Sequence, residues 1–238
     1  MASPPAGLIQ VHLRGLSEYG AVRELQRRLV ERRIANSIAD VVLLLEHADV
    51  LTVGRARGAA RNVVAAGDVP IVEVERGGDV TWHGPGQLVA YPIVALEGDR
   101  RDLHRHLRAL EDAMIRVLAG AELAGLRDPR NSGVWLAGSD GVRRKVGSVG
   151  IACRRWVTWH GLALNVDPDH DGWSRLRPCG FEPDTMTSMA EHGATHAVAD
   201  LVEPMGDALA AALGLARGPL LDAADPAQVE TELGAAPG

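Results

Sequence analysis

Hydrophobic and polar positions along the chain follow two different periods. Apolar residues recur at helical spacing over 17–33 and 102–119, and Ser17 is a suitable N-cap for the first of these helices. A third helix is expected over about 196–213, kinked or interrupted at Pro204. Short apolar or alternating runs predict strands at 9–13, 41–47, 50–55, 69–78, 87–94 and 156–166.

A turn signal joins two further strands. The residues GSDG at 138–141 separate GVWLA from RRKVGSVGIA, which is the arrangement of a β-hairpin. Strands and helices are thus mixed without regular alternation, and this predicts an α+β fold with helices packed outside a mixed or antiparallel sheet. We expect residues 1–214 to form one domain and the acidic, alanine-rich tail, 215–238, to be frayed or disordered.

Composition narrows the class of protein. The chain has 238 residues with 46% hydrophobic content, which is enough for a full core, and its formal net charge is −6. This charge, without any long basic run, argues against a nucleic-acid partner. No apolar run has the length of a membrane span, and the N-terminus lacks the pattern of a secretory signal. We therefore expect a cytoplasmic protein with no membrane partner, whose two cysteines, Cys153 and Cys179, are thiols.

The surroundings of Cys179 differ from those of Cys153. Cys179 lies in the segment RPCGF, where Pro178 restricts the backbone on one side and Gly180 frees it on the other. Such a turn is typical of a reactive thiol, and equally of a small residue packed in a loop. Cys153 lies in the apolar run GIACRR, as structural cysteines often do.

Lys145 is the only lysine in a chain rich in arginine. An amine can lose its proton when it is desolvated and a guanidinium cannot, so a retained lysine indicates a need for an amine. The alternative is a solvated lysine beside two arginines near a turn. Strand alternation predicts one face with Lys145, Gly147 and Val149 and another with Val146, Ser148 and Gly150.

A glycine-rich segment, RGGDVTWHGPGQ at 76–87, is the remaining feature with chemical meaning. Glycines let the backbone approach a ligand or another strand closely. No GKS or GKT follows, so the segment is not a P-loop, and a strand follows where a dinucleotide-binding motif would begin a helix. The chain also lacks the spacings of a zinc site and a GxSxG nucleophile elbow, so we expect no metal and no cofactor.

Three motifs together resemble a known family. RGGDVTWHGPGQLVAYPI, KVGSVGIACRRWVTWHGLALNV and RPCGFEPDTMTSM occur in the order and approximate spacing of lipoyl(octanoyl) transferases, and LLLEHADVLTVGR is similar to their N-terminal segment. The resemblance covers residues 9–213. It implies the fold of biotin and lipoate protein ligases, an α+β domain with a central mixed sheet and a smaller sheet. Departures from the family pattern at Asp79, Trp82, Gly147 and Ser148 bear on acyl-chain preference.

The resemblance also implies a reaction and its residues. Cys179 would carry an octanoyl thioester, and Lys145 would lower the pKa of that thiol and move protons. The donor would be octanoyl-acyl carrier protein. The acceptors would be lysines of the lipoyl domains of 2-oxo acid dehydrogenase acyltransferase subunits and of the glycine cleavage H protein. Substrate contacts would come from Arg76, Gly77, Gly78, Asp79, Val80, Thr81, Trp82, His83, Ser148, Val149, Gly150, Gly161, Leu162 and Ala163.

Two other hypotheses stay open at this point. An ATP-dependent lipoate or biotin ligase would share the fold but would need an adenylate site and no nucleophilic cysteine. A non-catalytic protein that only binds carrier domains would not require the pair of Cys179 and Lys145.

Overall fold

The structure is a computed structural model that describes residues 7–169, 171–177 and 183–235. Its strands are β1 (Leu8–Ser17), β2 (Val41–His47), β3 (Val50–Val53), β4 (Ile71–Glu73), β5 (Val80–His83), β6 (Gln87–Ile93), β7 (Leu126–Arg127), β8 (Val134–Ala137), β9 (Arg143–Arg154), β10 (Val157–Asn165) and β11 (Arg217–Ala223). Its α-helices are α1 (Tyr19–Ile34), α2 (Leu103–Gly120), α3 (Asp171–Ser174), α4 (Val202–Leu213) and α5 (Pro226–Ala235).

Eight strands form a mixed sheet in the order β11-β1-β2-β6-β10-β9-β8-β7, and β4-β3-β5 form a small second sheet. β1 runs parallel to both of its neighbours, and the other pairs of the large sheet are antiparallel. Alternation within β2 shows how the layers arise, because Val42 and Leu44 pack towards α2 and α4 while Leu43 and Leu45 pack towards α1 and α5. The predicted α+β fold with a large mixed sheet and a smaller one is confirmed. None of the described helices has the length and apolarity that crossing a membrane requires.

The small sheet has an apolar core of its own. Leu51 and Trp82 pack there against Trp173, Leu176 and Met186. Trp173 and Leu176 precede the segment 178–182 along the chain, and Met186 follows it. This core therefore anchors the chain on both sides of the segment that contains Cys179.

Three predicted boundaries differ from the structure. The N-cap of α1 is Glu18 rather than Ser17, and its carboxylate accepts hydrogen bonds from the first turn. The strand expected over 69–78 is limited to β4. Pro204 lies in the first turn of α4, after a short 3₁₀ helix, where a missing N–H costs no intrahelical hydrogen bond.

The expectation of a disordered tail over 215–238 is wrong for its described part, 215–235. β11 pairs in parallel with β1 at the edge of the large sheet, and α5 follows it. Val229 and Leu233 of α5 are buried in the cluster that includes α1. The few apolar residues of this acidic segment are thus spaced to cover an otherwise open strand edge, so the chain after residue 214 belongs to the same domain.

His106 of α2 provides a test of the core. Its side chain is buried, neither ring nitrogen has a hydrogen-bond partner among the described residues, and burial lowers its pKa to about 4. An unpaired buried polar group costs about 1–3 kcal/mol. We expect His106→Leu to raise the free energy of unfolding by about 1 kcal/mol at pH 7.5.

The gain should be larger at pH 5, because the unfolded chain binds a proton there that folded His106 refuses, and the wild-type protein loses stability as pH falls below 6.5. Urea unfolding of the variant at both pH values measures this, with the exposed neighbour His104→Leu as the matched control. Equal effects of the two substitutions would contradict the prediction.

Candidate active site

A narrow cavity of about 80 Å³ lies between the large sheet and the glycine-rich segment. Its wall residues come from the glycine-rich segment, from β9 and β10, and from α1, β6 and the chain around 132 and 186. They are Tyr19, Arg76, Gly78, Asp79, Val80, Thr81, His83, Tyr91, Ser132, Lys145, Ser148, Val149, Gly150, His160, Gly161, Leu162, Ala163 and Met186. Most of the residues that the sequence predicted as a site are therefore brought together here.

Arg76 fixes the glycine-rich wall, the side of the cavity that the segment 76–87 forms, to strand β3. Its guanidinium is buried and donates hydrogen bonds to the carbonyl oxygen of Thr52 at 2.9 Å, the hydroxyl of Thr52 at 2.8 Å and the carbonyl oxygen of Asp79 at 2.7 Å. A Cβ on Gly54 would collide with the carbonyl oxygen of Gly78 and lie 2.7 Å from Arg76 Nη1. The wall is thus held tightly against β3, which gives the cavity a fixed edge.

Gly150 of β9 lets the wall approach the sheet, because a Cβ on it would lie 2.9 Å from Arg76 Cδ. Gly161 of β10 lies opposite Gly150, and a Cβ on Gly161 would collide with the carbonyl oxygen of Ala90 in β6. The N–H of Gly77 donates to the carbonyl oxygen of Ile151 at 2.9 Å, which ties the wall to β9. Close backbone approach, the reason proposed for these glycines, is what the structure contains.

His160 makes this tie possible through its unusual backbone. It has a φ of 54°, and its N–H donates to Gln26 Oε1 of α1 at 2.8 Å instead of to the neighbouring strand. The carbonyl oxygen of Ile151, directly opposite in the ladder, accepts from Gly77. Positive φ is costly for a non-glycine residue, and such strain is typical of functional sites.

The histidines in and next to the cavity wall carry no charge. His47 Nδ1 donates to the carbonyl oxygen of Ser17 at 3.0 Å, so its Nε2 accepts from the Tyr91 hydroxyl at 2.9 Å. Burial lowers the pKa of His47 to about 4, that of His160 to about 3 and that of His83 well below its usual value. These imidazoles are therefore neutral near pH 7.

Lys145 also lines the cavity, and a β-bulge decides the direction of its side chain. Trp135 pairs with Lys145, whereas the preceding Val134 pairs with Gly147, so Val146 is an extra residue in β9. Val146 and Gly147 both face α2, and a Cβ on Gly147 would lie 2.5 Å from Met114 Sδ. The predicted grouping of Lys145 with Gly147 and Val149 on one face is therefore wrong, because the bulge interrupts strict alternation.

Lys145 is buried in this arrangement and its surroundings are specific. Its Nζ lies 5.7 Å from the ring centre of Trp135, and a Cβ on Gly133 would lie 2.5 Å from its Cε. The N–H of Gly133 donates to Glu111 Oε1 at 2.8 Å, and Glu111 is itself fully buried. Sequence reasoning missed both residues, because nothing near them in the chain indicates that Gly133 packs against Lys145 or that Glu111 binds Gly133.

Cys179 lies outside the described residues, but the chain on both sides of it is fixed next to the cavity. The N–H of Arg177 donates to the carbonyl oxygen of Asn62 at 2.8 Å. After the gap, Met186 lines the cavity and bridges to Lys145, and the N–H of Thr187 donates to the carbonyl oxygen of Lys145 at 3.0 Å. Lys145 thus holds the downstream side of the segment through its own backbone.

Two predicted substrate contacts do not line the cavity. Gly77 uses its N–H to bind β9, as described above. Trp82 points away into the core of the small sheet, where its indole N–H donates to Asp49 Oδ1 at 3.0 Å and its ring meets Trp173 edge-on at 5.3 Å. A Cβ on Gly172 would collide with that indole, so Trp82 packs directly against α3, a few residues before Cys179.

The arginines that flank β9 lie in two separate places. Arg143 and Arg144 begin the strand and Arg154 ends it, about 35 Å away at strand spacing. Arg144 pairs with Asp140 at 2.7 Å and Arg154 pairs with Glu31. These residues cannot form one basic surface. Within the described ranges, no three His, Cys, Asp or Glu side chains are close enough together to hold a metal ion.

Gly78 allows the wall to be tested with a matched control. It has a φ of 89° and lines the cavity, whereas Gly141 has a φ of 76° in an exposed hairpin turn, with no atom within 4 Å of where a Cβ would lie. We expect Gly78→Val to lower acyl loading of the folded protein at least about tenfold, since a β-branched residue strains the wall and fills the cavity. Gly141→Val carries the same backbone strain and should load normally. Intact-mass measurement of loading decides, and normal loading by Gly78→Val would refute the need for close approach.

The fold places the chain in a class of known structures. Lipoate-protein ligase A bound with ATP has the same fold, with a TM-score of 0.65 at 14% identity over 96% of this chain and 94% of that chain. A chain from an archaeal lipoylation system of Thermoplasma acidophilum, a bi-partite lipoate protein ligase and its E2 lipoyl domain, matches with a TM-score of 0.56 at 15% identity over 97% and 92%. These likenesses establish the lipoate protein ligase fold.

Sequence comparison then gives the family. The model of the lipoyl protein ligase A/B catalytic domain matches residues 18–210. An octanoyltransferase of Gloeobacter violaceus is 47% identical over 168 residues, 70% of this chain and 73% of the relative. An octanoyltransferase of Geobacter metallireducens is 39% identical over 219 residues, 90% of this chain and 97% of the relative. The chain belongs to the lipoyl protein ligase A/B catalytic domain family, and the resemblance inferred from the three motifs is confirmed.

Proposed function

We propose that this protein is an acyltransferase that moves an octanoyl group to a lysine of lipoyl domains. The donor is octanoyl-acyl carrier protein, and Cys179 carries the acyl group between the two half-reactions. The observation that carries this proposal is a cavity that joins Lys145 to the glycine-rich wall, with the chain before and after Cys179 bound beside it. No cofactor is needed for either step. The reaction belongs in the cytoplasm, where a thiol stays reduced.

In the first half-reaction the Cys179 thiolate attacks the thioester carbonyl of the donor. A C–S bond to Cys179 forms, the C–S bond to the carrier breaks, and the carrier thiolate leaves and takes up a proton. In the second half-reaction an acceptor amine attacks the Cys179 thioester. An amide bond forms, the Cys179 thiolate leaves, and the amine gives up one proton.

Lys145 is suited to the proton transfers of both steps. As an ammonium it stabilises the Cys179 thiolate and gives a proton to the leaving carrier thiolate. As a neutral amine it then accepts the proton of the attacking acceptor. Lys145 is buried beside Gly133 and Trp135, so its amine is held at a fixed position on the cavity wall.

The cavity is suited to a short acyl chain. Val80, Val149, Leu162 and Ala163 supply apolar walls along its length. His83, His160, Tyr19 and Tyr91 also line the cavity, and their imidazoles and hydroxyls are neutral near pH 7.

The ligase alternative is less well supported. The relatives that cover most of the chain at 39–47% identity are octanoyltransferases, whereas the ligase structures are only 14–15% identical. A ligase would consume ATP for each acceptor modified. Measuring acceptor modification with octanoyl-acyl carrier protein in the absence of ATP distinguishes the two.

The proposed function is tested by intact-mass analysis. Incubation with octanoyl-acyl carrier protein should add one octanoyl group to the enzyme, and a lipoyl domain added later should remove it and gain the same mass. A protein that only binds carrier domains would gain no mass in the first incubation.

A further inference from the structure

The loop 54–62 forms the outer layer of the cavity wall. Its N–H groups donate to the glycine-rich segment at three points, from Gly54 to Asp79 O at 3.1 Å, from Arg55 to Arg76 O at 3.1 Å and from Ala56 to Gly78 O at 2.9 Å. Asn62, at its end, donates from its side chain to the Asp79 carboxylate and accepts from the N–H of Arg177. The loop is therefore fixed to both the acyl cavity and the chain that leads into Cys179.

Three arginines of this loop are exposed and have no acidic partner. Arg55, Arg57 and Arg61 point their charge to solvent and form no ion pair with any residue that the structure describes. Glu75 and Glu73 line the same groove as Arg55, and Glu75 is already bound by Arg23 at 2.7 Å. Many arginines elsewhere are paired with carboxylates, among them Arg23, Arg28, Arg33, Arg108, Arg127, Arg144, Arg154 and Arg217.

We propose that the loop 54–62 is the docking surface for the carrier protein that delivers the acyl group, that this partner presents an acidic surface, and that Arg55, Arg57 and Arg61 are its contacts. The inference rests on the proposed function and adds to it the place where the donor binds. A chain with a net charge of −6 repels an acidic protein at long range, so productive encounter needs a local positive surface beside the cavity.

The position of the loop favours the donor over the acceptor. A donor carrier holds its thioester on a long flexible arm, so its body can bind on the outer side of the wall while the acyl group enters the cavity. An acceptor offers a lysine on its own surface and must sit directly over the thioester. The outer layer of the wall is therefore the better surface for the carrier of the long arm.

The experiment reverses the charge of the loop. The triple variant Arg55→Glu, Arg57→Glu and Arg61→Glu changes the formal net charge by two per residue, from −6 to −12. Its matched control is Arg14→Glu, Arg105→Glu and Arg116→Glu, which makes the same charge change at exposed positions on β1 and α2. Acylation of the enzyme is measured with octanoyl-acyl carrier protein and, separately, with octanoyl-pantetheine and octanoyl-4′-phosphopantetheine.

The loop variant should raise the apparent KM for octanoyl-acyl carrier protein about tenfold and lose most of its dependence on salt. Its acylation by both small thioesters, and the discharge of its acyl-enzyme to a lipoyl domain, should match those of the wild type. The control should stay within about twofold of the wild type for every substrate.

Three results would overturn the docking surface. The first is an equal loss of acylation with octanoyl-4′-phosphopantetheine, which would make the loop a phosphate site. The second is a loss only in discharge of the acyl-enzyme to the lipoyl domain. The third is an equal loss of acylation in the control variant. Failure of the proposed function looks different, because the wild-type enzyme would then gain no acyl group from any of the three thioesters.

Discussion

Cys179→Ala is expected to form no covalent acyl-enzyme and to lose octanoyl transfer by at least about 10³-fold, because in the proposed mechanism the Cys179 thiolate accepts the acyl chain. The variant should keep its fold. Intact-mass analysis after incubation with octanoyl-acyl carrier protein measures the first effect, and steady-state transfer to a lipoyl domain measures the second.

Cys153→Ala is the matched control for this substitution. Cys153 lies near the end of β9, and burial raises the pKa of its thiol, so little thiolate is present near neutral pH. The variant should load and transfer as the wild type does. Robust transfer by Cys179→Ala would exclude a covalent mechanism through Cys179. If only Cys153→Ala lost transfer, Cys153 would be the nucleophile.

Lys145→Arg completes the test of the pair. We expect a loss of about 10²–10⁴-fold, because arginine keeps the positive charge but cannot act as a base near neutral pH. The rate of Cys179 alkylation by iodoacetamide against pH separates the two roles of Lys145. If the pH profile of alkylation matches that of the wild type while transfer is lost, Lys145 acts in proton transfer. If Lys145→Arg keeps full transfer, only the positive charge of Lys145 matters.

Gly133→Ala is expected to lower the rate of acyl-enzyme formation about 100-fold, although Gly133 carries no chemical group. A methyl group there would collide with the carbonyl oxygen of Gly147 and lie 2.5 Å from Lys145 Cε, and the φ of 106° strains any other residue. Both the backbone of β9 and the side chain of Lys145 must therefore move, and a small displacement of the proposed proton-transfer group is costly. Single-turnover acylation of the variant measures the effect.

Gly15→Ala separates backbone strain from the displacement of Lys145. Gly15 has a φ of 73°, lies in β1, and has no atom within 4 Å of the position that a Cβ would take. It should keep the wild-type acylation rate and lose less stability than Gly133→Ala, which also collides with the backbone of β9. If both variants acylate at the wild-type rate, the contact between Gly133 and Lys145 has no role in catalysis.

The wall of the cavity shows how far local sequence reaches. Glycines in the wall and in β9 and β10 indicated close backbone approach. The structure shows it where Gly77 and Gly150 join the wall to β9, and where Gly161 meets the carbonyl oxygen of Ala90 in β6. The reason is that the absence of a side chain is itself a local property, readable wherever it occurs. Trp82 lies within the same segment but faces the other side of β5, and its neighbour Gly172 is ninety residues away.

The main elements, the α+β class and the family motifs were determined by the sequence, because periodicity and glycine, proline and cysteine chemistry act over a few residues. Tertiary structure alone decided the direction of Lys145, the roles of Gly133 and Glu111, and the docking of β11 and α5 on β1 and α1. Each of these depends on contacts between residues far apart in the chain. A single extra residue in β9 changes which side chains face the cavity, and the open edge of β1 decides where β11 pairs. Neither strand pairing can be read from a local sequence pattern.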